Sequence, residues 1–418
     1  MEALAFGALV AFCAAVYLVP GEWLAALAPL RLALVTSTAA LVLLLLSRLG
    51  RRKSLSLDGW RGGTLILLTS LVLVSSAWSL VPQSSRVLGL ECLKYTGIYL
   101  TIVNLARTPR RLAVLCGTLV LASLVTSTGV LRWYLEGQDL VEGYRARWVG
   151  QYADPNRMAM TLGLVVPLAL GFVFRKAKPW PVRALSLVAL ALAVSAIMVS
   201  FSRGGFTGLL LAVVFWVVRE RRFDRLVVVG TAALGLVVLA PATLWSRAGS
   251  VSSFRGDASA MSRVHAWTVA SRISADRPLL GVGAGTFRVA WPLYAPPEAR
   301  RAYEAHNVFL EILAELGWIG LFLFLAFVGQ GMGGAFRASK DPEVGWLARA
   351  LSASAAGYLV CSLSAGFIGG SAHFYTLFGL AAAAHRLARP VAGSPDGGGS
   401  PPPGACTPGA RPLYGHPT

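Results

Sequence analysis

The amino-acid sequence predicts an all-α polytopic membrane protein with about twelve transmembrane helices by the usual ~20-residue criterion. Three observations predict it. Of 418 residues, 56% are hydrophobic and only 14% charged, too few polar groups to clothe a soluble globule of this size. Apolar runs of spanning length recur along the chain. Lys and Arg gather at alternate junctions between those runs, which is how short cytoplasmic loops are marked.

The first run, 3–20, has no basic region ahead of it and no small-residue cleavage site behind it, so it reads as a spanning helix and not a removable signal. Runs at 32–49, 63–82, 87–106, 112–131, 158–174 and 183–201 follow. The run at 205–218 is short and begins after Ser202-Arg203-Gly204-Gly205, so the sequence predicts a tight hairpin there instead of one long helix. Runs at 226–244, 307–329, 346–366 and 371–388 complete the set.

Basic residues orient these spans. Arg48, Arg51, Arg52, Lys53 and Arg61 form one cluster, Arg107, Arg110 and Arg111 the next, and Arg175, Lys176, Lys178 and Arg183 a third. Arg219, Arg221, Arg222 and Arg225 form a fourth, and Arg337 with Lys340 a fifth, each separated from the next by two spans. Both termini are therefore expected in the cytoplasm. The connections 21–31, 83–86, 132–157, 202–204, 245–306 and 367–372 are expected to face outward. The formal charge of +19 thus reports topology, and nucleic acid is not an expected partner.

Residues 1–389 read as one transmembrane domain with two long outer loops, 132–157 and 245–306, the larger lying between the ninth and tenth helices. The segment 390–418, rich in Pro and Gly, reads as a disordered cytoplasmic tail. Cys13, Cys92, Cys116 and Cys361 lie in apolar runs and Cys406 in the tail, with no C-x-x-C pair, so neither a disulfide frame nor a zinc site is indicated. No repeat halves the chain.

Loops of such length in a compact protein tend to be functional, and polar candidates concentrate there. Ala305-His306-Asn307-Val308 opens a spanning helix, and an imidazole at a membrane surface is able to exchange a proton near neutrality or simply to cap the helix. In that helix Glu311 and Glu315 are one turn apart on a face that should turn toward the bundle. They are placed to fix arginines, to orient His306, or to hydrogen-bond between helices. Gly317 and Gly320 suit close helix packing. Arg203, in its Ser-Arg-Gly-Gly turn, suits an anionic headgroup, with a lipid-phosphate anchor as the plainer reading. Arg263 and Trp267, four residues apart, share a face of a surface helix. Arg147, with Trp148 beside it, precedes Asp154-Pro155-Asn156, a helix-start signal in which Asp154 and Asn156 also fit ordinary capping. Gly281-Val282-Gly283-Ala284-Gly285 has no strand to frame it as a phosphate loop.

One external imidazole among external arginines suits transfer from a diphosphate. The arginines would hold the leaving group while the imidazole takes a proton from a hydroxyl. No outward carboxylate cluster for Mg²⁺ or Mn²⁺ is evident, so no metal or other cofactor is expected. A transporter or flippase would instead predict internal repeats and charged groups in broken helices near the midplane.

From Trp78-Ser79 to Gly320 the chain resembles the O-antigen ligase family, including the related polymerases of lipid-linked polysaccharides. The Ser202-Arg203-Gly204 turn, the Pro278 to Phe287 turn, and His306-Asn307 through Gly320 carry the resemblance most specifically. It implies a GT-C-like inverting, metal-independent glycosyltransferase of the bacterial inner membrane, acting on the periplasmic face. The donor would be an undecaprenyl-diphosphate-linked glycan, and the acceptor a hydroxyl on a glycolipid such as lipid A core, on a growing glycan or on protein. It further implies that His306 is the base, that Arg203 and Arg263 bind diphosphate, and that Arg147, Asp154 and Asn156 lie at the rim.

Overall fold

The computed structural model describes residues 1–220, 225, 229–230, 258–297, 299, 301–364 and 371–388. These residues are helical apart from connections and one isolated bridge, Val141 to Arg145. The helices are α1 (Glu2–Leu18), α2 (Leu32–Gly50), α3 (Gly59–Val74), α4 (Pro82–Leu105), α5 (Pro109–Leu135), α6 (Pro155–Phe174) and α7 (Trp180–Val199). They continue with α8 (Arg203–Glu220), α9 (Ala258–Asp276), α10 (Phe287–Tyr294), α11 (Val308–Ala338), α12 (Gly345–Cys361) and α13 (Ala372–Leu387).

Among the described residues, six segments are long and apolar enough to cross a membrane: Ala25–Gly50, Gly59–Ala77, Pro109–Leu135, Pro155–Phe174, Trp180–Val199 and Val308–Ala338. The protein is an all-α membrane protein. The expected span at 226–244, apart from residues 229–230, and the tail 390–418 fall outside the described residues, as do 245–257 of the larger loop and 367–370 of the last outer connection.

Small residues set the closest helix contacts. A Cβ on Gly208 of α8 would sit 2.2 Å from the sulfur of Cys361, and one on Gly357 of α12 would sit 2.7 Å from the Cβ of Ala212, so α8 and α12 meet backbone to backbone. Elsewhere α1 packs on α2 and α5, α6 on α7 and α12, and α11 on α3 and α13. Phe324 and Phe327 of α11 meet Phe374 and Phe378 of α13 in a buried aromatic cluster, with Phe374 and Phe378 only 4.7 Å apart.

Two expectations need correcting. The third run, expected as 63–82, leaves the α-helix at Val74, because Trp78 to Leu80 turn away to meet the glycine-rich turn: Leu80 N–H donates to the carbonyl of Val282 at 3.1 Å, and the Trp78 indole to that of Leu280 at 3.1 Å. Residues 83–86 accordingly lie inside α4 and form no loop. At Ser200–Ser202 the turn is tight, with Phe201 in the left-handed region (φ 49°), yet α7 and α8 diverge: α8 packs along α12 and α6 and barely touches α7.

Beyond the spans, α9 and α10 build a small second core. Ala266, Val269, Ala270 and Ile273 recur at helical spacing and bury against Phe287, Ala290 and Trp291, with Ala299, Ala305 and Ala314 beneath them. This layer covers the start of α11, where the candidate residues converge.

Candidate active site

Local sequence sets the posture of His306. Its backbone takes a left-handed conformation (φ 49°), which reverses the chain just before α11. Asn307 then caps that helix, its Oδ1 accepting from the N–H groups of Phe309 (3.0 Å) and Leu310 (3.2 Å). Val308 N–H donates to the carbonyl of Ser362 at 3.0 Å, fastening this corner to the end of α12.

The charges around the half-buried imidazole come from distant parts of the chain. Burial pushes its pKa below the ordinary histidine value, and Arg263 of α9 pushes the same way, as does Arg157 more weakly. Glu304 and Asp154 oppose the shift. Arg157 and Glu304 are themselves paired at 2.9 Å, which ties the start of α6 to the segment before His306. The α11 N-terminus adds a further positive field. All these effects but the two acids favour a neutral ring, the form able to accept a proton.

The turn that carries Arg203 is tied to the same region through a chain of contacts, while Arg203 itself is not among the charges that chiefly shift His306. Asp154 caps α6, accepting from Asn156 N–H (2.9 Å) and Arg157 N–H (2.8 Å), so ordinary capping is what its side chain does. Asn156 does more. Its Oδ1 accepts from the Ser202 hydroxyl at 2.8 Å and from buried Arg145 at 2.9 Å, while Arg145 also donates to the carbonyl of Ser200 at 3.1 Å. Ser202 Oγ in turn accepts from Gly205 N–H at 3.1 Å, opening α8 with Arg203 at its first position. On the far side, Cys361 Sγ donates to the carbonyl of Gly204 at 3.3 Å, and a Cβ on Gly204 would sit 1.9 Å from Ser364 Oγ. Residues 361–364 therefore touch both the arginine turn and the histidine corner.

Other candidates are placed differently. Arg147 bonds the carbonyl of Asp139 at 2.8 Å and pairs with its carboxylate, so it closes its own loop and is not among the charges around His306. Trp148 is buried beside Tyr152, packed against Gly129. Trp267 stays 40% exposed on the outer face of α9.

Glu315 holds neither an arginine nor His306. Its two carboxylate oxygens accept the N–H groups of Gly285 (2.7 Å) and Phe287 (3.0 Å). Val282 and Gly283 donate to the carbonyls of Ala314 (3.1 Å) and Glu315 (2.9 Å), and Trp318 donates to Pro278 at 2.8 Å. Those bonds exist because α11 breaks at Gly317 (φ 66°, ψ −168°), freeing carbonyls that the glycine-rich turn takes up. The amides that a phosphate loop would offer to a ligand are here spent on α11 and, at Ala284, on the Ser75 hydroxyl at 3.2 Å. Glu311 and Glu315 also line a small, otherwise mostly apolar cavity of about 60 Å³ under the α11 N-terminus, with Thr69, Cys92 and Tyr375 among its walls.

Arg145, Arg157 and Glu304 enter the cluster without having been singled out as site residues. The signal for Arg145 was slight: a basic residue in a long loop next to Arg147, with nothing local to say which of the two turns inward. No group of three or more His, Cys, Asp or Glu placed to hold a metal occurs among the described residues.

Fold and site together define a helical membrane protein with an enzyme-like cluster of imidazole, guanidinium and carboxylate groups at one pole. The family model described as O-Antigen ligase matches residues 188–325, a segment that holds Arg203, Arg263 and His306, and over that segment the chain is similar to the O-antigen ligase family. No curated protein matches the chain.

Proposed function

We propose that this protein transfers a glycan from a polyprenyl diphosphate of the undecaprenyl type to an acceptor hydroxyl, at the periplasmic face of a bacterial inner membrane. The acceptor hydroxyl belongs to a glycolipid of the lipid A core class, to a growing glycan or to protein. The observation that supports this reading is that burial and Arg263 favour the neutral form of His306, on a corner held by residues 361–364, which also touch the Arg203 turn.

In this reading neutral His306 takes the proton of the acceptor hydroxyl as its oxygen attacks the anomeric carbon. The bond from that carbon to the diphosphate oxygen breaks, and the configuration inverts. Arg203 and Arg263 hold the departing diphosphate, whose charge grows as the bond breaks. The proton remains on the ring until product leaves, and the arginines then favour its release. Asn156, Arg145 and the Arg157–Glu304 pair act as positioning groups, while Asp154 caps the helix that carries two of them.

The test is transfer in membranes from a lipid-diphosphate-linked glycan to added lipid A core, comparing the unaltered protein with His306→Ala. Transfer by His306→Ala should vanish at undiminished membrane expression. Full transfer by that variant would overturn the reading.

A further inference from the structure

A second groove lies away from the histidine, between α1, α2 and α4, with a volume of about 510 Å³. Its walls are apolar, with Phe12 and Val16 on one side and Leu34 and Ile98 on others. Four charged residues line it as well: Glu22, Arg31, Glu91 and Lys94.

Glu91 and Lys94 pair at 2.5 Å midway along the 24-residue α4, with side chains 38% and 47% exposed. This half-open ion pair lies on an otherwise apolar wall, and a polar occupant beside it is favoured over hydrocarbon alone. The groove is open to receive one, because the apolar stretch of α2 that forms a wall is only 17% buried. Arg31 begins that helix from a left-handed turn (φ 41°), and Glu22 stands opposite in the short connection after α1. Two cations and two carboxylates make the lining electrically balanced.

We propose that this groove binds a zwitterionic phospholipid. Its phosphate lies toward Arg31 and Lys94, its ammonium toward Glu91 and Glu22, and its acyl chains along α1 and α2. An anionic headgroup would satisfy the cations and leave the carboxylates facing a like charge. The lipid also braces the rim of the site. Glu22 packs so closely on Gly150 that a Cβ there would lie 2.7 Å from its Cγ, and the neighbouring Gln151 donates to the carbonyl of Val16 at 2.6 Å. That segment leads directly into Asp154 and Asn156. The proposal concerns binding alone and stands independently of the transfer reaction.

The full chain is reconstituted in nanodiscs of equal phosphatidylethanolamine and phosphatidylglycerol, carrying a trace of one photoreactive lipid or the other. Labelled peptides are mapped by mass spectrometry and normalised to labelling elsewhere on the bundle. The ethanolamine probe should label α1, α2 and α4 about fivefold more than the glycerol probe, a ratio of the size one modest ionic contact gives. Arg31→Gln with Lys94→Gln should lower labelling of these helices by both probes to the level found elsewhere on the bundle, and Glu22→Gln with Glu91→Gln should bring the two probes level. Equal labelling, or a preference for the glycerol probe, in the unaltered protein would overturn the proposal without reference to any variant.

Discussion

Ser202 donates its hydroxyl to Asn156 Oδ1 across 2.8 Å, and this bond joins the turn that carries Arg203 to the first turn of α6. The same oxygen receives Arg145, so one amide side chain fixes the connection before α6, the start of α6 and the more distant α7–α8 turn. Asn156→Ala removes the acceptor of the Ser202 hydroxyl and one acceptor of buried Arg145, which keeps the Ser200 carbonyl and Glu142, a loss of about 1–3 kcal/mol. Transfer should fall about tenfold or more at unchanged expression, and Asn156→Asp, which keeps the acceptor oxygen, should recover much of it. Assays of both variants with the lipid-diphosphate donor check this.

The acidity of His306 gives a pH signature. Burial and then Arg263 hold its pKa below the ordinary value, so the neutral, proton-accepting ring persists to lower pH than in free histidine. Activity should fall on the acid side only as pH drops through that depressed value. Arg263→Gln removes a cation and raises the pKa, so the acid limb of kcat/KM should move to higher pH, in addition to any loss of rate. A pH–rate profile in which the limb stays in place would argue against direct electrostatic coupling of the two residues.

Glu315 organises the glycine-rich turn through two separate oxygens. Glu315→Gln can accept from one of the two amides but presents its own N–H₂ to the other, which costs about 1–3 kcal/mol and loosens the start of α10. The expected result is a lower midpoint in thermal unfolding, with protease cleavage appearing first between residues 278 and 287.

Gly317 has φ 66°, and a Cβ there would lie 2.2 Å from the backbone carbonyl of Leu279. Gly317→Ala therefore combines a strained backbone with a clash that no rotamer relieves, for a loss of more than about 2 kcal/mol. Gly329→Ala in the same helix is a useful comparison, because a Cβ there meets nothing within 4 Å. Thermal unfolding should place Gly317→Ala well below it.

Hydrophobic run length and the spacing of basic residues made the helical membrane class legible, because bilayer thickness and backbone hydrogen bonding leave a long apolar segment few alternatives. The His306-Asn307 corner was readable for a similar reason: a polar cap followed by an apolar run is a local signal. Arg145 and Arg147 show where that legibility stops. Two residues apart in one loop, one is buried on Asn156 and Ser200 while the other folds onto Asp139, and only the packing of α6 against the α7–α8 turn separates them. The glycines at 281, 283 and 285 are the other case. Their positive φ values could serve a ligand or a neighbouring helix, and the break in α11 at Gly317, with the carbonyls it frees, decides for the helix. The sequence by itself determined the helical membrane class and nominated His306 and the arginines. Tertiary structure alone decided which polar groups meet, because partners such as Glu315 with Gly285, or Asn156 with Ser202, are chosen by helix packing across long separations that no local pattern encodes.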